Sequence, residues 1–566
     1  MVASTIKWLV VVLGAGALNM LAANPVAAQG TVRRHLVYFR DKAGTPYSVA
    51  QPQAFLSARA VARRSRQGIA VLPRDLPVNP AYVTQIRSVN GGPKVLYTSR
   101  WFNAAVVACD SVTLARIKAL PAVRSAATLN RSLAPVVSSP APLVPMSAVA
   151  ARSTQATRAQ YGPAYAQNKQ IGVLAMHDAG FRGEGMQIAV FDAGFPGVDQ
   201  IPALQPLFQS QRLLGTRNFV DGGTSVYLRS GHGTNCVSTM AANQANFYIG
   251  TAPKASYHLC ITEDVQSEHP VEEANWLAAA EYADSAGVDV ISSSLGYTDF
   301  DAPSKSYTYS DMNGRTAISS RAAAVAARVG MVVVSAAGNE GNKLWHYISA
   351  PADADSIISV GAVDSLGTHA GFSSYGPSAD GRIKPTLSAM GLAAAVLAPN
   401  GLPFRGSGTS YACPILAGMV AGFWQANPTL TAQEVILALR ATASQAVIPD
   451  NTLGYGIPNF VTAYNLLHLT VPLATADEVM AAGEALGIFP NPSGDGPLTL
   501  VLPVALRGQV LQVRVLDARG AVVARQFIPA TAGSEATLRL VSLAKGVYTC
   551  EVTAGATRRT VKFVHQ

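Results

Sequence analysis

The chain is 566 residues long, 49% hydrophobic and 13% charged, with a formal net charge of +10. That length allows three or four domains of about 150 residues each, and so apolar a composition excludes a disordered chain. The positive balance is no mark of nucleic acid, because the basic residues are scattered rather than interleaved with aromatics, and no nucleic-acid partner is expected.

The first residues, "MVASTIKWLVVVLGAGALNMLAANPVAAQG", combine a lone Lys7, an apolar run from Trp8 to Ala23 and a small-residue site at Val26-Ala27-Ala28. These are the parts of a secretory signal, with cleavage expected after Ala28. Gly14, Gly16 and Asn19 interrupt the run, which is short for a membrane span of about 20 apolar residues. An exported, soluble protein is expected.

From Thr31 to Ala150 the acids are Asp41, Asp75 and Asp110 among many arginines and lysines, whereas the rest of the chain is slightly acidic on balance. Such a separation predicts that a basic piece docks on an acidic one. Strand-like "HLVYF", "KVLYTS" and "FNAAVVAC" alternate with helix-like "SARAVARRSRQ" and "SVTLARIKAL", which reads as a small α+β domain over 29–130. Residues 131–160, rich in Pro, Ala and Ser, read as an extended linker.

Over 161–468 short apolar runs alternate with helices of small residues: "MQIAVFDAG", "EEANWLAAAEYADSAG", "VDVISSSLG", "AISSRAAAVAARVG" and "MVVVSAAGN". Continuous apolar strands between helices predict an α/β domain of three layers, with a mainly parallel sheet covered on both faces. In such sheets, sites lie beyond the carboxyl ends of the strands, where Asp192 and Asn339 fall. A linker at 469–486 precedes alternating strands with Gly-bearing turns over 487–566, a separate β-sandwich.

Three segments carry chemistry. "AVFDAGF" puts Asp192 after a buried strand, "SGHGTNCVSTMAA" puts His232 at a helix start, and "GSGTSYACP" puts Ser410 at the seam between a glycine turn and another helix. Acyl transfer by serine needs a base for the hydroxyl proton, a carboxylate to orient that base, and donors for the developing oxyanion. A helix beginning at Ser410 offers its free N–H groups, and Pro414 is expected in the harmless first turn. The order Asp, His, Ser is one of the known orders of a catalytic triad.

On "VFDAGF", "GHGTNC", "VSAAGNEG" and "GTSYACP", the region 161–468 resembles the subtilisin-like serine peptidases. The resemblance implies a secreted serine endopeptidase acting on proteins or peptides through an acyl-enzyme. Asp192 would orient His232, the general base, Ser410 would be the nucleophile, and Asn339 would line the oxyanion hole. Ser292, Ser293, Ser294, Leu295 and Gly296 resemble the strand that pairs with substrate backbone. Residues 29–130 resemble an inhibitory pro-segment, and "FPNPSGDGPLTL", "LAKGVYTCEV" and "TRRTVKF" resemble a C-terminal sorting domain read by type IX secretion machinery. Two other functions use this fold: a peptide ligase with the same acyl-enzyme, and a binding protein on a dead protease, which predicts a missing triad member.

The remaining signals are smaller. Cys109, Cys236, Cys260, Cys413 and Cys550 have neither zinc-site spacing nor the density of a disulfide scaffold, though a Cys236–Cys413 bond is conceivable. No compact Asp/Asn cluster has calcium-loop spacing, so no cofactor is expected, and calcium is possible but unsupported. Thr386 stands in "DGRIKPTLSAMG" where the family usually has an aspartate. A monomer is expected.

Overall fold

The computed structural model describes residues 31–132, 156–468 and 485–566, apart from isolated positions in the last stretch. The signal-peptide reading of residues 1–28 and most of both linker readings lie outside the described residues. Among the described residues, no helix is long and apolar enough to cross a membrane.

The basic N-terminal segment is an antiparallel sheet flanked by helices. Its strands are β1 (Arg33–Phe39), β2 (Lys94–Ser99), β3 (Ala104–Cys109) and β4 (Val123–Ser132), in the order β2-β3-β1-β4. Among its helices are α1 (Ala58–Arg66), capped by the Ser57 hydroxyl on Ala60 N–H, α2 (Pro80–Arg87) and α3 (Ser111–Lys118), capped by Asp110.

The central region is built on a parallel sheet. Its strands are β5 (Gln187–Asp192), β6 (Leu213–Asn218), β7 (Ser256–Ile261), β8 (Val290–Ser293), β9 (Val332–Ala336), β10 (Ile358–Val363) and β11 (Leu387–Met390). They lie in the order β11-β10-β9-β8-β5-β7-β6, every pair parallel. Alternate residues feed opposite cores, as the period of a strand requires. Ile188 and Val190 pack with helices α4 (His232–Ala241) and α7 (Thr409–Ala426). Ala189 and Phe191 pack on the other face with α5 (Val271–Ala286) and α6 (Ile318–Arg328). Both faces are covered, which is why the strands read as unbroken apolar runs.

The C-terminal stretch holds two antiparallel sheets, one three-stranded and one four-stranded. Leu498, Leu500 and Leu538 of the first share a core with Val513, Val515, Cys550 and Val552 of the second. The α/β class with a parallel sheet, an α+β segment before it and a β-sandwich after it is the expected architecture.

Candidate active site

The carboxyl ends of three neighbouring strands converge. Asp192 ends β5, Ser294 follows β8 directly, and Asn339 lies three positions past β9. The polar groups thus gather beyond the carboxyl ends of the strands, where the sites of parallel α/β sheets lie.

Asp192 is fully buried, and its Oδ1 accepts the N–H of Ala193 at 2.8 Å and His232 Nδ1 at 2.8 Å. His232 opens α4, with a side chain 32% exposed. That helix sits so close to β5 because its second residue is glycine: a Cβ on Gly233 would lie 2.4 Å from Gly194 O and 2.9 Å from Asp192 Cβ. Burial is the largest influence and works against an imidazolium here, but the opposing influences together, the Asp192 carboxylate first, hold His232 well above the usual imidazole range.

Ser410 is the second residue of α7, one position inside the helix, and its hydroxyl donates to Ser294 O at 3.4 Å. Its own carbonyl accepts from Cys236 Sγ at 3.4 Å, and Cys236 Sγ lies 3.8 Å from His232 Nδ1. The rings of Tyr411 and His232 are 5.9 Å apart. The serine and the imidazole are therefore neighbours, bridged by a thiol.

Asn339 is aimed by Thr409, the residue before Ser410. Thr409 N–H and Oγ1 both donate to Asn339 Oδ1, at 2.9 and 3.1 Å. Both bonds use the amide oxygen, leaving the two N–H donors out of them. Gly338, at φ 115°, makes the turn that swings Asn339 out of the strand direction.

The substrate-edge residues divide. Ser292 and Ser293 are buried within β8: Ser293 Oγ accepts Trp276 Nε1 at 2.8 Å, and Cys413 Sγ donates to Ser293 O at 3.4 Å. Ser294 is also buried, Leu295 is half-buried and Gly296 is exposed. Of the stretch Ser292 to Gly296, only Leu295 and Gly296 thus reach solvent. Pro414 does not lie in the first turn of its helix. It is the sixth residue of α7, beyond the first turn, so a helical hydrogen bond is lost.

All five cysteines are free and buried, Cys236 and Cys413 included. Thr386 joins β10 to β11, with Oγ1 3.0 Å from Ser359 Oγ and donating to Ile357 O at 3.2 Å.

Two groups of described residues bring ligand-type atoms within 4.8 Å of one another: Asp192, His232 and Cys236, and Glu263, Glu268 and Glu272. In the second, Glu272 accepts the N–H groups of Asp264 and His269 at 2.8 and 2.9 Å, and Tyr297 donates to Glu263. Burial, then Glu268, pushes Glu263 up to about 8. Burial, then Asp301, pushes Glu268 up to about 7. Burial and the neighbouring carboxylates thus favour the protonated forms of Glu263 and Glu268, and sequence spacing does not reveal the cluster.

Known proteins match the chain in three parts. The profile of the Subtilase family matches residues 183–456, that of the Peptidase S8 propeptide domain of Bacteroidota matches 34–141, and that of the Secretion system C-terminal sorting domain matches 487–566. Subtilisin from Bacillus pumilus is 31% identical over 279 residues, covering 49% of this chain and 90% of the relative. Subtilisin NAT from Bacillus subtilis subsp. natto is 32% identical over 291 residues, covering 51% and 67%. Subtilisin DY from Bacillus licheniformis is 31% identical over 267 residues, covering 47% and 86%. The chain belongs to the subtilase family of serine endopeptidases, with a propeptide before its peptidase domain and a sorting domain that marks it for type IX secretion to the cell surface or beyond.

Proposed function

We propose that Asp192, His232 and Ser410 work as a catalytic triad that cleaves peptide bonds through an acyl-enzyme. The observation that carries this reading is the 2.8 Å bond between buried Asp192 and His232 Nδ1, made beside Ser410. With Nδ1–H given to Asp192, Nε2 is left as the basic nitrogen, the tautomer a general base needs. Ser410 Oγ attacks the scissile carbonyl and its proton passes to His232, which returns it to the leaving amine. Water then repeats the sequence on the acyl-serine.

The negative oxygen of each tetrahedral intermediate is held by the Asn339 amide N–H and the backbone N–H of Ser410, at the positive end of α7. Leu295 and Gly296 offer backbone to an extended substrate. The N-terminal α+β segment acts as the intramolecular inhibitor until the linker region between about 131 and 160 is cut, a reading supported by its buried ion pairs with α5. Hydrolysis rather than ligation is the outcome because water is the acceptor in greatest excess.

The test is turnover of a denatured protein by the processed enzyme and by Asp192→Ala, His232→Ala and Ser410→Ala, with and without an added amine. Losses of about 10⁴–10⁶ in kcat are expected, the range known for triad removal in a subtilisin. Products should carry free carboxyl ends. A His232→Ala protein with wild-type turnover would overturn the triad, and products mostly joined to the amine would replace hydrolysis by ligation.

A further inference from the structure

The helix that carries Ser410 has a defect one turn in. Residue 414 is proline and has no N–H, so the carbonyl four positions earlier, that of Ser410, has no helical partner. That carbonyl accepts instead from Ser294 Oγ at 2.7 Å and from Cys236 Sγ at 3.4 Å. In return, the Ser294 carbonyl accepts the Ser410 hydroxyl at 3.4 Å. Two serines from distant parts of the chain thus hold each other by crossed hydrogen bonds.

Ser294 is buried, directly beyond the end of β8, and that strand is paired with β5, the strand ending in Asp192. A group so placed ties the first turn of α7 to the same sheet edge that carries the carboxylate. Of the two donors on the Ser410 carbonyl, the hydroxyl is the short one, and the thiol is a weak donor. Burial pushes the Cys236 thiol up, so it stays a neutral S–H.

We propose that the Ser294 hydroxyl is a positioning group for the nucleophile: by replacing the N–H that Pro414 lacks, it fixes the peptide unit of Ser410 and hence the aim of Ser410 Oγ and of the Ser410 N–H. It acts through Ser410 and does not touch the substrate, whose backbone pairs with Leu295 and Gly296. The proposal rests on the reading of Ser410 as nucleophile. Misplacing a nucleophile by about 1 Å costs up to about 10²-fold in rate, and the loss should lie in kcat, since the substrate-pairing backbone is unchanged.

The proposal predicts an unusual rescue. In Ser294→Ala, kcat should fall about 10- to 100-fold, with KM changed less than about twofold. Adding Pro414→Ala supplies the missing N–H to the Ser410 carbonyl, so the double variant should regain most of the lost kcat, a coupling that a double-mutant cycle reads directly. Ser294→Thr, which keeps the hydroxyl, should stay near wild type. Thermal melting and fluorophosphonate titration of every variant put rates on a per-folded-site basis.

The proposal is overturned if Ser294→Ala keeps wild-type kcat, if its loss lies wholly in KM, or if the double variant recovers nothing. If Ser294→Ala does not fold, the comparison of the double variant with Pro414→Ala alone decides: equal kcat supports the replacement of one donor by the other, and a large deficit overturns it. Failure of the nucleophile reading is a separate result, since Ser410→Ala would then label as well as wild type.

Discussion

Arg63 and Asp284 form an ion pair in which the side chains are 1% and 0% exposed, although the residues lie 221 positions apart. Arg64 meets the same carboxylate at 2.9 and 3.0 Å, and Arg100 reaches its other oxygen. Asp284 lies in the last turn of α5, and all three guanidiniums come from the N-terminal segment. Ser99 Oγ and the N–H groups of Arg100 and Trp101 also converge on Glu281, one turn earlier. The charge separation along the sequence is thus realised as a buried latch.

Asp284→Ala should loosen that latch severely. Removing one partner of a buried ion pair costs about 3–5 kcal/mol, and here three guanidiniums lose a shared carboxylate, Arg64 alone keeping Asp75 at 3.5 Å, so docking should weaken by about 10²–10⁴-fold. The check is the time course of pro-segment loss during maturation, which should quicken in Asp284→Ala and less so in Arg59→Ala, whose partner Asp289 is met by a 37% exposed side chain. Burial opposes the Asp284 charge, but the arginines, Arg63 first, hold its carboxyl below the usual 3.8. Its contribution is therefore present above pH 3.8 and lost only as pH falls through that lower value. Mild acid alone should not release the segment by this route.

Activity should follow the free base of His232. Because the influences opposing burial, the Asp192 carboxylate first, together raise His232 above the ordinary 6.5, the acid limb of kcat/KM should lie above pH 6.5. The same shift stabilises the fold fully below pH 6.5, and that stabilisation is lost as pH rises through the folded value. Asp192→Asn should move the limb downward and cut the plateau. A limb at or below 6.5 in the wild-type profile would contradict the pairing.

Asn339→Ala should lower kcat about 10²–10³-fold with little change in KM, the loss known for such a donor in a subtilisin. Thr409→Val should reproduce a smaller part of it, because the backbone N–H of residue 409 still holds Asn339 Oδ1 after the hydroxyl has gone. Steady-state kinetics on one peptide substrate separates the two effects.

Gly233→Ala should damage both stability and rate. Its added methyl would meet backbone at Gly194 O, 2.4 Å away, and the ring of Phe195 at 2.7 Å, neither of which yields cheaply. Overpacking of this kind costs about 1–3 kcal/mol. The displaced helix would pull His232 from Asp192, so a fall in melting temperature should accompany a loss of turnover of more than about tenfold.

The strands ending at Asp192 and near Asn339 are legible in the sequence because two-sided burial leaves unbroken apolar runs. His232 and Ser410 are legible because their segments occur together with that of Asp192 in the order Asp, His, Ser, whereas a polar residue at a helix start is by itself often a cap. Longer-range facts are not. Asp284 sits on an alanine-rich helix and looks like a solvated acid until arginines from another segment cover it. The serines of "SSSLG" look alike in sequence, yet Ser292 and Ser293 are buried within β8 and Ser294 turns its hydroxyl to Ser410. The place of Pro414 beyond the first turn depends on where α7 starts, at Thr409, and that start is a matter of backbone geometry. The Glu263, Glu268 and Glu272 group depends on a loop conformation that spacing does not reveal.

The decisive measurement is fluorophosphonate titration of the secreted, processed protein, with the adduct located by mass spectrometry. One label per folded chain is expected, on the peptide containing Ser410, and none on folded Ser410→Ala. Equal labelling of wild type and variant would place the nucleophile elsewhere and contradict the triad.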